Sequence, residues 1–149
     1  MRIKRAISKQ ARKRALAIRL RVFVKEQGVP REIELDSDDE HAVHLLALVA
    51  GRAVGTARIV MKRGTAKIGR MAVLKSYRGK GVGRTLLRRA TKAAKEKGAK
   101  QVFLHAQVPV IGFYEKLGFR STGRVFMEAG IAHRKMVLEA RNRTSAAME

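Results

Sequence analysis

The chain has 149 residues, of which 34 are Lys or Arg and 12 are Asp or Glu, so its formal net charge is +22. Hydrophobic residues make up 46%, which suits one globular domain with an ordinary core, and no apolar run reaches the length of a membrane span. The absence of cysteine excludes disulfides, thiolate metal sites and a cysteine nucleophile, and it is compatible with a cytoplasmic protein. The basic N-terminus is not followed by the apolar segment of a secretory signal.

The charge attracts polyanions, a class that includes nucleic acid, anionic lipid and phosphorylated cofactors. The basic residues are spread along the chain, and aromatic residues, at 5%, give no RNA-binding signature. A binding protein for nucleic acid or the ribosome is therefore an alternative that rests on net charge only.

The first half of the chain is predicted to contain one helix and four strands. Ser8 is a good N-cap for the helix, which is expected to end near Gly28 with a proline beyond it. The apolar stripe of this helix is Ala11, Ala15, Ile18 and Val22. Residues 31–41 are predicted to be an acidic loop. The predicted strands are residues 2–7, 44–50, 53–61 and 67–74, with tight turns at Gly51–Arg52 and Lys62–Gly64.

The second half is predicted to alternate helices with strands. The helices are residues 82–97 and 110–117, and the strands are residues 101–106, 119–126 and 133–138. No linker divides the chain, so we predict one α/β domain (mixed α+β) over residues 1–140. Residues 141–149 are predicted to be a disordered tail. An unpaired last strand is expected to offer an edge through which a homodimer could form.

A glycine-rich turn, Arg78-Gly79-Lys80-Gly81-Val82-Gly83, joins a predicted strand to the 82–97 helix. Glycine allows main-chain N–H groups to turn toward a ligand, and the first N–H groups of a helix have no internal acceptor. The turn is therefore suited to a diphosphate, with positive charge added by Arg78, Lys80 and Arg84. It lacks the Walker signature and the three-glycine dinucleotide fingerprint, and by itself it is equally compatible with a flexible surface turn.

Two motifs together resemble the GNAT superfamily of N-acetyltransferases. The Arg78-x-x-Gly81-x-Gly83 turn is similar to the pyrophosphate loop of that family, and residues 113–119, Phe-Tyr-Glu-Lys-Leu-Gly-Phe, are similar to its tyrosine helix and following strand. The resemblance extends over about residues 2–139, and residues 22–27, 36–44 and 130–133 resemble a bacterial branch of small single-domain members. It implies the GNAT-type acyl-CoA N-acyltransferase fold, with a central mixed, mostly antiparallel sheet flanked by helices.

The resemblance also implies direct transfer of acetyl from acetyl-CoA to a primary amine of a small molecule or peptide, without a metal. It places the cofactor against Met71, Ala72, Val73, Arg78, Gly79, Lys80, Gly81, Val82, Gly83, Arg84 and Gln107. Gln107 stands where family members often carry Asn. The pantetheine amides are expected to pair with the backbone of residues 71–73. The N–H of Val73 is expected to donate to the thioester oxygen as charge develops there.

The expected acid is Tyr114, whose phenol can donate a proton to the leaving thiolate, although a packing aromatic is the alternative role. The expected base is Glu26, at the end of the first helix, and the alternative is a solvated carboxylate paired with a nearby cation. His44, His105 and His133 are further candidates for the base. No spacing of His or carboxylate resembles a metal site, because Asp36-x-Asp38 alone falls short of a calcium loop.

The acidic loop, residues 31–41, holds half of the acids in this basic chain. One interpretation is that it attracts a cationic amine such as a polyamine, an aminoglycoside-like compound or a lysine-bearing peptide. The other is a solvated loop that balances the basic helix.

Overall fold

The computed structural model describes residues 1–139, which form one seven-stranded sheet with helices on both faces. The strands are β1 (Arg2–Arg5), β2 (Val43–Val49), β3 (Arg52–Lys62), β4 (Thr65–Val73), β5 (Gln101–Gln107), β6 (Phe119–Glu128) and β7 (Ile131–Leu138). The helices are α1 (Lys9–Arg19), α2 (Arg31–Glu34), α3 (Val82–Glu96) and α4 (Ile111–Glu115). A π-helix (Leu20–Glu26) continues α1, and 3-10 turns cover Ser37–Glu40, Lys75–Tyr77 and Val108–Val110. The predicted tail, residues 141–149, lies outside the described residues.

The order of strands in the sheet is β1-β2-β3-β4-β5-β7-β6. Only β4 and β5 are parallel among these neighbours, so the prediction of a mixed, mostly antiparallel sheet is confirmed. The prediction of an unpaired last strand is wrong. Within residues 1–139 the last strand, β7, is hydrogen-bonded to β5 on one side and to β6 on the other, and the outer strands are β1 and β6.

One face of the sheet packs against α3, whose apolar residues recur at helical spacing. Of the apolar residues that helical spacing predicts to face the core, Leu86, Leu87, Ala90 and Ala94 are buried and Ala93 is partly buried. Val82, at the start of the helix, is buried as well. The N-terminal half of α3 lies so close to β3 that a Cβ added at Gly55 would be 2.9 Å from Leu86 Cδ1. Residues of α4 pack against the same core.

The opposite face packs against α1, which begins as predicted. The hydroxyl of Ser8 accepts a hydrogen bond from the N–H of Ala11 at 3.1 Å, and the predicted apolar stripe is buried. The π-helical continuation ends at Glu26, close to the predicted end near Gly28. The end of this element lies over the carboxyl end of β4, where the candidate site is found.

The acidic segment, residues 31–41, differs from the predicted loop. It forms α2 and a 3-10 turn, and Glu34 is 3% exposed because it binds the buried Arg19 at 2.8 Å. Asp39 also binds Arg19 at 2.7 Å, and it binds the buried Arg58 at 3.0 Å. Two arginines inside the fold require carboxylate partners, and this requirement orders the segment.

None of the helices in residues 1–139 combines the length and the apolar composition that crossing a membrane requires.

Candidate active site

A bulge in β4 opens the centre of the sheet. On β3, Thr56 and Arg58 are two positions apart, but their partners on β4, Ala72 and Gly69, are three apart. The additional residue is accommodated at the bulge, where Arg70 has a φ of +49°. The parallel pairing of β4 with β5 ends at Ile68, and beyond it the two strands separate into a cleft.

The cleft exposes one edge of β4. The N–H of Leu74 donates to the carbonyl of Val54 on β3 at 2.9 Å, so the N–H of Val73, one residue earlier, points to the cleft side. By the same alternation the backbone of Met71 faces the cleft, whereas Ala72 is in register with β3. The side chain of Ala72 is buried against α1. Residues 71 and 73 can therefore pair with an extended amide, and residue 72 supports them from behind.

The glycine turn lies beside this edge and leads into α3. Gly79 and Gly81 have φ values of +76° and +85°, a conformation that other residues adopt only with strain. The first hydrogen bond of α3 runs from Thr85 N–H to Gly81 C=O at 3.1 Å. The N–H groups of Val82, Gly83 and Arg84 therefore have no helical acceptor and can serve an anion.

Arg78 joins the turn to the end of the π-helix. Its Nε donates to the carbonyl of Val73 at 2.8 Å, and its Nη2 donates to both carboxylate oxygens of Glu26, at 2.9 and 3.1 Å. The structure thus brings the predicted base and a predicted phosphate ligand into one ion pair. Lys80 lies over the ring of Tyr77, with 5.7 Å between Nζ and the ring centroid. Arg84 is exposed on the first turn of α3.

Gln107, at the end of β5, faces the cleft from the other side. Its Nε2 donates to Oε1 of Gln27 at 2.9 Å, and Nε2 of Gln27 donates back to Oε1 of Gln107 at 3.4 Å. This amide pair connects the end of the π-helix to β5. Gln27 therefore belongs to the site, although the sequence assigned no role to it beyond its place in the segment of residues 22–27.

Tyr114 lies on α4 between two phenylalanines. Its ring meets those of Phe113 and Phe119 edge-on, at centroid distances of 5.1 and 6.3 Å. Burial raises the pKa of Tyr114 to about 12. No hydrogen bond of its hydroxyl to another group in residues 1–139 is found, so the phenol stays protonated with its O–H available.

The three histidines considered as bases have different surroundings. His44 is buried beside the carbonyl of Asp39, 2.9 Å from its Nε2, and burial lowers the pKa of His44. His133 is bonded through Nδ1 to the carbonyl of Ile131 at 2.7 Å. His105 is bonded through Nδ1 to Glu128 Oε1 at 3.0 Å. Of the three, His105 and His133 lie on the two strands that continue the sheet beyond the cleft.

The acidic segment is largely occupied by arginine. Beyond the bonds described above, Asp36 binds Arg58 at 2.7 Å and Arg70 at 3.1 Å, and Glu34 binds Arg70 at 3.1 Å. Three of its carboxylates therefore neutralise buried guanidinium groups and are not free to bind an amine. In the described part of the chain no group of three or more His, Cys, Asp or Glu side chains is placed to hold a metal ion.

Comparison with known proteins identifies this arrangement. The sequence profile described as "Acetyltransferase (GNAT) domain" matches residues 5–140. The chain belongs to the GNAT acetyltransferase family. An uncharacterized N-acetyltransferase of Bacillus subtilis, YjcF, is 40% identical over 126 residues, which are 84% of this chain and 90% of YjcF.

Two solved structures share the fold. The crystal structure of Escherichia coli ElaA has a TM-score of 0.84 and 28% identity, over 93% of this chain and all (100%) of ElaA. An acyl-CoA N-acyltransferase from Pseudomonas aeruginosa has a TM-score of 0.81 and 28% identity, over 93% of this chain and 98% of that protein. The predicted family, fold and acyltransferase class are thereby confirmed.

Three residues of the site were not predicted from the sequence. Arg70 forms the bulge, and the adjacent Gly69 was the available signal, since a lone glycine in a strand often marks a bulge. Gln27 pairs with Gln107 across 80 positions of sequence. Glu128 lies on β6 and reaches His105 on β5 across the intervening strand β7.

Proposed function

We propose that this GNAT protein transfers acetyl from acetyl-CoA directly to a primary amine. The observation that carries the proposal is the convergence of two sets of main-chain donors on one cleft. One set is the N–H groups at the start of α3, and the other is the cleft-facing edge of β4. The absence of cysteine supports a cytoplasmic setting for the reaction.

The diphosphate of acetyl-CoA is assigned to the glycine turn. The residues proposed to hold it are Arg78, Gly79, Lys80, Gly81, Val82, Gly83 and Arg84. The unpaired N–H groups of α3 supply directed donors, and the cations supply charge in a site that is open to solvent. Arg78 is engaged with Glu26, so a bound diphosphate competes with that carboxylate for the guanidinium.

The pantetheine arm is assigned to the edge of β4, where Met71 and Val73 face the cleft and Ala72 supports them. An amide-bearing chain placed there gains main-chain hydrogen bonds in the manner of an added strand. Gln107 can donate to the same arm after its pair with Gln27 opens. The N–H of Val73 is assigned to the thioester oxygen, whose charge grows as the amine attacks.

Tyr114 is proposed as the hydrogen-bond donor to the leaving sulfur. The amine nitrogen attacks the carbonyl carbon, the C–N bond forms, and the C–S bond breaks with its electron pair on sulfur. An ammonium acceptor must lose two protons to become an amide. One goes to the base before attack, and the other ends on sulfur to give free CoA. A phenol that stays protonated can stabilise the thiolate until that proton arrives.

Glu26 is proposed as the base, acting once Arg78 turns to the diphosphate. The support is its position at the end of the π-helix, next to Gln27 at the mouth of the cleft. In the ion pair its lone pairs are occupied by Arg78. We expect Glu26→Gln to lower kcat without weakening acetyl-CoA binding, because the carboxylate no longer competes for Arg78. Glu32→Gln, on the exposed side of α2, is the matched control.

Acetyl-CoA binding is tested by thermal unfolding. At a concentration 100 times its Kd, a ligand stabilises the folded chain by about 2.7 kcal/mol, and for a protein of this size that corresponds to a rise in Tm of about 5–10 °C. We expect the rise in the wild-type chain and its loss in Gly81→Glu, whose carboxylate would meet the diphosphate.

The control is Gly64→Glu. Gly64 also has a positive φ, +80°, no atom lies within 4 Å of an added Cβ at either glycine, and Gly64 lies at the opposite end of β4. The two variants therefore carry the same backbone strain. An equal rise in Tm for both variants, or no rise in the wild-type chain, would overturn the proposal. Release of free thiol with a series of amines then identifies acceptors.

A further inference from the structure

The sheet face that carries His105 is not covered by a helix of residues 1–139. The helix α1 packs over β2, β3 and β4, whereas α3 and α4 pack on the opposite face. The exposed face bears a group of aromatic rings. His105 lies edge-on to Phe126 at 4.9 Å and 5.9 Å from Phe103, and Phe126 stacks on His133 at 6.0 Å. This face adjoins the cleft, because His133 is in register with Gln107.

Glu128 stands over these rings at the end of β6. The carboxylates of Glu34, Asp36 and Asp39 bind buried arginine side chains. Glu128 is instead bound by His105. That hydrogen bond, opposed by burial, lowers the pKa of Glu128 to about 2, so the carboxylate is ionised at every ordinary pH. No hydrogen bond to its second oxygen, Oε2, is found in the described residues.

The hydrogen bonds fix the tautomers of both histidines. A carboxylate or a carbonyl oxygen only accepts, so Nδ1 of His105 and Nδ1 of His133 each carry a proton. In neutral His133 the other nitrogen, Nε2, is therefore an acceptor. It faces Glu128 Oε2 at 3.8 Å. Two acceptors then face each other without a donor between them, and a group with several N–H donors would satisfy both.

We propose that Glu128 Oε2 and His133 Nε2 bind the ammonium group of the acceptor amine, with the ring of Phe126 against its apolar body. A nitrogen about 2.9 Å from both atoms can donate to each, and a primary ammonium has three N–H groups for this purpose. The proposal rests on the proposed function, because it names the class of amine that enters the same cleft.

The surrounding charges narrow the class of acceptor. Lys67 is half-buried on β4, and its ammonium group is close enough to interact electrostatically with Glu128. Lys135 lies on β7 with its Nζ 4.8 Å from the centroid of Phe103. These two cations would repel a second positive charge on the acceptor. The site therefore fits a primary monoamine with an apolar or aromatic body, and it disfavours polyamines.

Phenethylamine is the probe, with 2-phenylethanol as its neutral counterpart. Binding is measured at about pH 8 by the shifts of the imidazole ¹⁵N signals. The chain has four histidines, so His105 and His133 can be resolved and assigned. We expect saturable shifts at these two residues, and Kd about tenfold higher in Glu128→Gln, because a hydrogen bond to a charged group is lost.

The matched control is Glu96→Gln, at the exposed C-terminal end of α3. Its Kd for phenethylamine should equal that of the wild-type chain, and Glu128→Gln should keep the acetyl-CoA shift in Tm. Acetyl-CoA binding by the wild-type chain separates the two proposals. Its absence counts against the proposed function, whereas absence of phenethylamine binding in a chain that binds acetyl-CoA counts against this inference.

Three results would overturn the inference. They are no saturable binding of phenethylamine to the wild-type chain, equal Kd values for wild type and Glu128→Gln, and binding of 2-phenylethanol as tight as that of phenethylamine. Spermidine that binds as tightly as phenethylamine would overturn the monoamine assignment.

Discussion

Replacing Tyr114 with phenylalanine tests whether its hydroxyl only donates a hydrogen bond to the leaving sulfur or transfers its proton completely. The pKa of about 12 lies well above the value of about 8.5 for a free thiol, and the difference corresponds to about 5 kcal/mol. Complete transfer of the phenolic proton to sulfur is therefore unfavourable. A hydrogen bond to the developing thiolate is worth about 1.5–3 kcal/mol, so we expect kcat to fall about 10- to 150-fold.

The stability of this variant should behave differently from its activity. In Tyr114→Phe the ring keeps its contacts with Phe113 and Phe119, and no hydrogen bond of the hydroxyl within residues 1–139 is lost. We expect an unchanged or slightly higher Tm and an unchanged rise in Tm with acetyl-CoA. Tyr77→Phe, at the only other tyrosine, is the control and should retain full kcat.

The assay is thiol release at saturating acetyl-CoA over a range of pH. A phenol that titrates near pH 12 cannot produce a loss of activity at about pH 8–10, so any such loss should persist in Tyr114→Phe. An unchanged kcat in the variant, or disappearance of that alkaline limb, would refute the assigned role.

Two further predictions concern the frame of the site. Burial raises the pKa of Asp39, but its hydrogen bonds with Arg19 and a second arginine outweigh this and hold the pKa at about 2. A carboxyl whose pKa is lowered in the folded state stabilises the fold at pH values above its unfolded-state pKa of about 4, and this contribution is lost as the pH falls toward 2. In urea titrations, the free energy of unfolding should therefore fall less between about pH 4 and pH 2 in Asp39→Asn than in the wild-type chain. An equal fall in both proteins would contradict the assignment. Gly55→Ala should lower the free energy of unfolding by about 1–3 kcal/mol, because its Cβ would be 2.9 Å from Leu86 Cδ1. An unchanged urea midpoint would contradict this and would show that α3 shifts to accommodate the methyl group without cost.

The elements that could be predicted are those specified by local periodicity and caps. The apolar stripe of α3 and the Ser8 cap of α1 are each specified by a few residues that are close together in the sequence, and both are found in the structure. The paired motifs around Gly81 and Tyr114 predicted the family and fold for the same reason. Each motif is a contiguous stretch with a local backbone requirement.

The features that could not be predicted depend on partners far apart in sequence. Arg19 and Glu34 are charged residues that a local pattern assigns to the surface, yet they bury each other. Glu128 contacts His105 across an intervening strand, and the strand order β5-β7-β6 cannot be read from the chain order. The ion pair of Arg78 with Glu26 spans 52 positions, and it joins a residue predicted to bind phosphate to a residue predicted to act as the base.

The position of β4 at the bulge, and with it the width of the cleft, depends on the ion pairs of Arg70. Its guanidinium is anchored by Glu34 and Asp36, and Glu34 in turn holds Arg19, where the first helix widens into its π-helical turn. β4 and the first helix thus share one set of charges. Substitution of one of these carboxylates should shift β4 relative to the first helix and weaken catalysis while the rest of the sheet is still intact.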